Sequence, residues 1–222
     1  RLSLSSIIEK CRRISRDPSF HEAAQWKEEQ RDGKVVGCFP VYTPAEIIHA
    51  CGMLPLGIIG AGNLIEIDQA DSRVQSFICS IARSTMELGL SGRLQFVDAI
   101  YFTSICDVSR NLSGVWRRNF PEMLVEYIHY PQNMMSRHAP DYYRSELDRL
   151  KTNLEKLAGR GVPDDRLRES ISLFNRYRAL MRELYRVRRE KPWLISAEEA
   201  YVLVRATTSL PVEESNAMLS EV

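Results

Sequence analysis

The sequence has no apolar run long enough to span a bilayer, so no membrane partner is expected. It has no excess of one charge either. Its 30 Lys and Arg stand against 29 Asp and Glu, without the basic surplus that nucleic acid selects. The 5 cysteines are odd in number and scattered. That argues against a disulfide framework and for a reducing compartment. No basic n-region followed by an apolar h-region is visible, so the expectation is a cytoplasmic protein. The glycines of Gly60-Ala61-Gly62 lack the third glycine and the helix placement of a dinucleotide fingerprint. They read as a tight turn. There is no internal repeat and no low-complexity segment. The chain begins with Arg1 and stops at Val222 within a helical pattern, which suggests part of a longer polypeptide.

The chain is organised around Asp98 to Asn111. Asp98 to Thr103 is a short apolar run rich in β-formers and reads as a buried strand. Ser104-Ile105-Cys106 is a brief turn, and a helix starts at Asp107, with Val108, Leu112, Val115 and Trp116 at helical spacing. Cys106 therefore falls where open α/β sheets hold their ligands. The free N–H groups and partial positive charge of a helix start suit a thiolate there. Cys79 precedes it by 106 − 79 = 27 residues. That spacing alone leaves the pair as either metal ligands or small packing residues.

Further strands are expected over Lys34–Phe39, Leu54–Gly60 and Leu124–Tyr130, alternating with helices. The alternation predicts an α/β, Rossmann-like (flavodoxin-like) domain with a short, mainly parallel sheet. Thr43 is expected as an N-cap with Pro44 at the first helical position, and Gly52 as the residue that ends that helix. Asp71 to Gly92 carries Val74, Phe77, Ile78, Ile81 and Leu88, an apolar helical face; Cys79 lies on that helix or in a loop that starts one. Two surface helices precede the sheet, over Leu2–Arg16 and Pro18–Arg31, with Trp26 anchoring the second. After Pro140 two leucine-rich stripes separated by Gly159–Pro163 predict a helical hairpin with a solvated arginine face. Ser196 opens a further helix with a capping-box pattern, and Pro211 the last. The expected division is residues 1–33 as N-terminal helices, 34–136 as the α/β domain and 137–222 as a helical arm.

Several stretches together resemble one family. They are Phe39 to Ala50, Gly52-Met53-Leu54-Pro55, Gln75 to Cys79, Arg83 to Leu94, and Ser104 to Val108 with Arg110 to Gly114. The chain resembles the 2-hydroxyacyl-CoA dehydratase and benzoyl-CoA reductase family, closest to the iron-sulfur subunits of ATP-dependent benzoyl-CoA reductase. The resemblance implies an α/β domain holding part of a [4Fe-4S] cluster beside an acyl-CoA pocket. Cys79 and Cys106 fall on the family's two cluster cysteines in this domain. A third cysteine ligand is expected from a second α/β domain that this sequence does not contain. Some dehydratase subunits carry a cysteine where this chain has Pro40; Cys38 lies two residues away and reads as core. Ala82 stands where the reductase branch often has proline.

The partners implied are a homologous iron-sulfur subunit, ATPase subunits with their own cluster, ferredoxin as donor, and benzoyl-CoA or another acyl-CoA. The implied reaction reduces the aromatic ring to a cyclohexadienoyl-CoA. The alternatives are a 2-hydroxyacyl-CoA dehydratase subunit using the same cluster, and a non-catalytic scaffold subunit. Arg83, Ser84 and Asn111 are candidate contacts to the cluster or thioester, and Phe39 and Tyr42 candidate walls for an aromatic substrate. His49 reads as a satisfied structural histidine, and no proton donor is identified.

Overall fold

A computed structural model of the protein describes residues 3–222. Leu2, the expected start of the first helix, lies outside the described residues. Four parallel strands form the sheet: β1 (Val35–Phe39), β2 (Leu54–Gly57), β3 (Ala99–Thr103) and β4 (Leu124–Ile128), in the order β2-β1-β3-β4. The expected α/β class with a parallel, helix-flanked sheet is what the chain adopts. Each strand is shorter than its apolar run. Asp98, just ahead of β3, donates its N–H to the Val35 carbonyl at 2.9 Å, and one of its side-chain oxygens accepts the Val35 N–H and the Lys27 ammonium, both at 2.8 Å.

Strand alternation sorts the core into two layers. Val35, Phe39, Leu54, Leu56, Ile100 and Phe102 face helices α4 (Ser80–Leu90) and α5 (Asp107–Asn119). Val36, Ala99, Tyr101 and Ile128 face helices α3 (Ala45–Ala50) and α6 (Ala139–Ala158). Helix α1 (Leu4–Ser15) belongs to neither layer. It packs with α7 (Asp164–Glu190), α8 (Ala197–Thr207) and α9 (Val212–Leu219) in a third cluster that buries Cys11. Helix α2 (His21–Glu29) instead sets Trp26 against the sheet layer. The two N-terminal helices thus serve different cores.

Both sheet edges are closed. The Gly57 N–H donates to the carbonyl of Thr208 at 2.8 Å, so the α8–α9 turn covers β2. On β4, Arg117 and Arg149 donate to the carbonyls of Val125 and Tyr127 at 2.9 and 2.8 Å. Edge groups occupied this way cannot recruit another strand. His49 ties α3 to the third cluster: its ring nitrogens meet Ser170 Oγ on α7 and Glu213 Oε1 on α9, both at 2.9 Å. Among the described residues, no helix is long and apolar enough to cross a membrane.

Two local expectations are corrected. The stretch from Asp71 is not helical up to Cys79: a single 3-10 turn (Ala70–Ser72) is followed by irregular chain, and the α-helix begins at Ser80. The start of the turn is held by Glu87, whose carboxylate accepts the N–H groups of residues 68 to 70. Phe77, counted as part of an apolar face, is 83 % exposed. Thr43 does not cap α3. Pro44 occupies the cap position, with no side-chain cap bond, and Thr43 lies beside Cys38.

Candidate functional site at the carboxyl edge of the sheet

Strand order reverses between β1 and β3, since the chain moves from β1 outward to β2 and returns past β1 to β3. Ligands of open α/β sheets sit outside the carboxyl ends at such a point. Two loops emerge there, residues 40–44 after β1 and 104–106 after β3. The second delivers Cys106 to the N-cap of α5. Its backbone is extended (φ −162°, ψ 165°), and its Sγ accepts the Ser109 N–H at 3.4 Å. Cys79 holds the N-cap of α4, with φ −55° and ψ 146°. Helices α4 and α5 pack on the same face of the sheet, where Met86 and Leu88 share a core with Leu112 and Trp116. Both cysteines are thus N-caps of neighbouring helices, and both are exposed.

The other three behave differently. Cys11 and Cys51 are buried, and burial pushes each thiol up to about 11. Cys38 is half-buried on the α3 side, and desolvation pushes it up to about 12. Thiols held neutral in apolar surroundings are poor nucleophiles and poor ligands. Packing, then, is what Cys11 and Cys38 do, as their sequence context indicates.

The remaining candidate residues separate. Tyr42 is 75 % exposed and sits at φ +65°, a backbone region that costs a bulky side chain strain. Its loop is pinned by the Thr103 hydroxyl, which donates to the Val41 carbonyl at 2.9 Å, and by the Tyr130 hydroxyl, which donates to the Tyr42 carbonyl. Asn111 is exposed on α5 and makes no side-chain bond among the described residues. Phe39 is 2 % exposed and packs against Phe102 with the rings tilted, 5.3 Å between centroids, inside the core. Ser84 is buried; it donates to the Ser80 carbonyl at 2.7 Å and accepts the Ala61 N–H at 3.1 Å. Arg83 pairs with Asp71 at 2.6 Å. Sequence reasoning missed Glu87, whose carboxylate shapes the approach to Cys79; a charged residue in an apolar helix stretch was the available signal.

A [4Fe-4S] cluster takes thiolate ligands, four in the common case. Cys79 and Cys106 have the chemistry for two of them, being exposed, with a backbone N–H already directed at one sulfur. No group of three or more His, Cys, Asp or Glu side chains able to hold a metal occurs among the described residues. The fit is therefore partial.

Residues 40–222 match the family model described as "2-hydroxyglutaryl-CoA dehydratase, D-component". The chain belongs to that family. It is 47 % identical over 220 residues to a subunit of the benzoyl-CoA reductase of Thauera aromatica, covering 99 % of this chain and 57 % of that protein. It is 28 % identical over 221 residues to the beta subunit of (R)-2-hydroxyglutaryl-CoA dehydratase of Acidaminococcus fermentans, with 99 % and 57 % covered. Against the lactoyl-CoA dehydratase beta subunit of Anaerotignum propionicum the identity is 29 % over 218 residues, with 98 % and 57 % covered. The chain thus spans a little over half the length of these family members. All three are subunits of enzymes named for CoA thioesters, one a reductase and two dehydratases.

Proposed function

We propose that the protein is an iron-sulfur subunit of an ATP-dependent benzoyl-CoA reductase. The observation that carries this reading is the sorting of the cysteines: Cys79 and Cys106 cap neighbouring helices at the functional edge and are exposed, while Cys11 and Cys51 are buried. Identity supports the reductase branch, at 47 % against 28 and 29 % for the dehydratase subunits.

In this reading Cys79 and Cys106 hold one side of a [4Fe-4S] cluster, and a cysteine from the remainder of the longer polypeptide adds a further ligand. A bound cluster supplies single electrons at low potential, here passed from ferredoxin by way of ATPase subunits with a cluster of their own. The Ser109 N–H stabilises negative charge on the Cys106 sulfur. The strained, pinned 40–44 loop presents Tyr42 as a flat wall for an aromatic ring, and Asn111 offers an amide to a thioester oxygen. Ser84 and Arg83 act at one remove, Ser84 by fixing the 60–62 turn on α4 and Arg83 by bracing the 70–72 turn. The acyl group reduced is benzoyl, and the product is a cyclohexadienoyl-CoA. The assembly is completed by a homologous iron-sulfur subunit.

The test is iron, labile sulfide and turnover in the complete complex purified without oxygen. The reading requires iron in the wild type, its loss in Cys106→Ser with the fold retained, and net reductant consumption with benzoyl-CoA and ATP. Normal iron content in Cys106→Ser would overturn the ligand assignment. The family model itself, named for a dehydratase, favours the second reading, a 2-hydroxyacyl-CoA dehydratase subunit. Turnover of a 2-hydroxyacyl-CoA without net reductant consumption would select it. Iron absent from the intact complex would select a scaffold role instead.

A further inference from the structure

A cavity of about 530 Å³ lies between the end of α1, one face of α8, the 59–64 loop and the first turn of α4. Neither Cys79 nor Cys106 lines it, and the 40–44 loop takes no part in it. Glu198, Tyr201 and Arg205 recur at helical spacing, so one face of α8 presents all three. Arg16, where α1 ends, adds a second guanidinium to the lining. Neither arginine forms a side-chain hydrogen bond or ion pair among the described residues, and the Arg205 Nε is buried without a partner. The carboxylates near them are occupied. Glu198 accepts from Arg12 Nε and Nη2 at 2.8 and 2.7 Å, one on each oxygen. Asp17 accepts the N–H groups of Ser19 and His21 at 2.8 and 2.7 Å. A guanidinium partly withdrawn from water without a counter-charge is costly, and an anion paired with it offsets that cost.

The rest of the wall is largely apolar. Leu64, Ile81 and Tyr201 are exposed large apolar side chains on three different elements, and all three line this cavity. Apolar surface gathered around a few polar donors is the mark of a site for an organic ligand. A small hydrated oxyanion would meet the arginines but leave those walls in water. An uncharged apolar molecule would cover the walls but leave the Arg205 guanidinium unpaired.

We propose that this cavity binds a free carboxylic acid, its carboxylate paired with Arg205 and Arg16 and its apolar body against Leu64, Ile81 and Tyr201. A planar guanidinium matches a carboxylate through two parallel hydrogen bonds. The site uses no cysteine and needs no thioester, so it stands apart from the function proposed above.

Saturation-transfer NMR of hexanoate with the intact protein tests this. Hexanamide is the uncharged control, and inorganic phosphate is the anion without an apolar body. Hexanoate should give a saturable signal and raise the thermal midpoint. Hexanamide should bind at least about tenfold more weakly, the value of a hydrogen bond to a charged group, and phosphate should not displace hexanoate at equal concentration. Arg205→Met keeps an apolar stem and removes the charge. It should weaken hexanoate by about tenfold or more, with no fall in the thermal midpoint, because the lost group has no partner in the protein. Arg16→Ala, at an exposed position, should weaken it by about threefold or more. No hexanoate signal, equal binding of hexanamide, displacement by phosphate, or an affinity unchanged in Arg205→Met would overturn the proposal. Should Arg205→Met melt early, Arg16→Ala decides: weakened binding there supports the site and unchanged binding overturns it. None of these results depends on iron content or reductant consumption, which test the function separately.

Discussion

The Glu87 carboxylate accepts the Ala70 N–H at 2.8 Å, and the same oxygen takes the N–H groups of Gln69 at 2.8 Å and Asp68 at 3.1 Å. Three consecutive amides converge on one buried acceptor carried by α4, the helix that Cys79 caps. The 61–79 connection is long and irregular, so this nest is what gives it a fixed course into α4. Glu87→Ala strands three N–H groups and should cost about 2–4 kcal/mol, given roughly 1 kcal/mol or more per orphaned donor. Glu87→Gln keeps an acceptor but loses the charge, and should cost less. Urea unfolding measures both, and limited proteolysis should place the first new cut between 61 and 79. An Ala variant unfolding at the wild-type midpoint would remove this role from Glu87.

The sorting of the cysteines makes a direct prediction for thiol chemistry. In metal-free native protein, a maleimide should react quickly with Cys79 and Cys106 and slowly with the buried Cys11 and Cys51 and the half-buried Cys38. Desolvation, which pushes these three thiols up to about 11, 11 and 12, suppresses the reactive thiolate at neutral pH. In denaturant all five should react alike. Peptide mapping by mass spectrometry identifies the labelled sites; rapid labelling of Cys51, or protection of Cys106, would contradict the sorting.

Residues 98–111 show how much of this was legible in sequence. The apolar run, the short turn and the helix start at Asp107 all follow from period and propensity, and α5 begins where Asp107 indicates. The strand alternation gave the parallel sheet, and the Ser196 capping box is present with both reciprocal bonds. The 70–79 stretch was not legible, because the entry to it is anchored at residues 68–70 by Glu87, seventeen to nineteen positions further along the sequence. Periodicity counts Phe77 as buried and has no term for a distant acceptor. Similarly, no local signal places α1 against α8 rather than beside α2; that choice depends on long-range packing of Ile7, Ile8 and Cys11. The candidate cysteines were visible as positions, whereas exposure, which separates them from the other three, needed coordinates.

Acid should loosen the contact between α6 and β4. Burial pushes the Glu146 carboxyl up, but bonds from Arg149 and the His129 N–H outweigh it, and the net shift is below the ordinary value of 4.5. A depressed folded value means the unfolded chain binds the proton more readily. The contribution is therefore complete above about pH 5 and is lost as pH falls through the folded value. Glu146→Gln should lower stability at pH 7 by about 1 kcal/mol, the order expected for one charge-assisted bond, and should flatten the decline between pH 5 and 3. Parallel acid limbs in the two proteins, measured by urea unfolding at each pH, would refute the assignment.

Gly89 sets how closely α4 approaches α5, and with it the geometry of the two cysteine-bearing helix starts. A Cβ at Gly89 would lie 2.6 Å from Trp116 Cη2 and 2.9 Å from Phe120 Cζ. Those rings cannot retreat cheaply: Trp116 is fully buried, 4.7 Å from Phe120 and 6.0 Å from Phe102 between centroids. Overpacking of this kind costs about 1–3 kcal/mol and outweighs the gain of up to about 1 kcal/mol in helix propensity from replacing glycine. Gly89→Ala should therefore be destabilised and, by forcing α4 away from α5, should retain less iron when the complete complex is prepared without oxygen. Gly114 on α5 is the control, since a Cβ there meets nothing within 4 Å. Gly114→Ala should keep the wild-type iron content and gain about 0.5–1 kcal/mol, because alanine narrows the unfolded ensemble at a helical position. If Gly89→Ala matches Gly114→Ala in both stability and iron, the α4–α5 spacing does not govern the site.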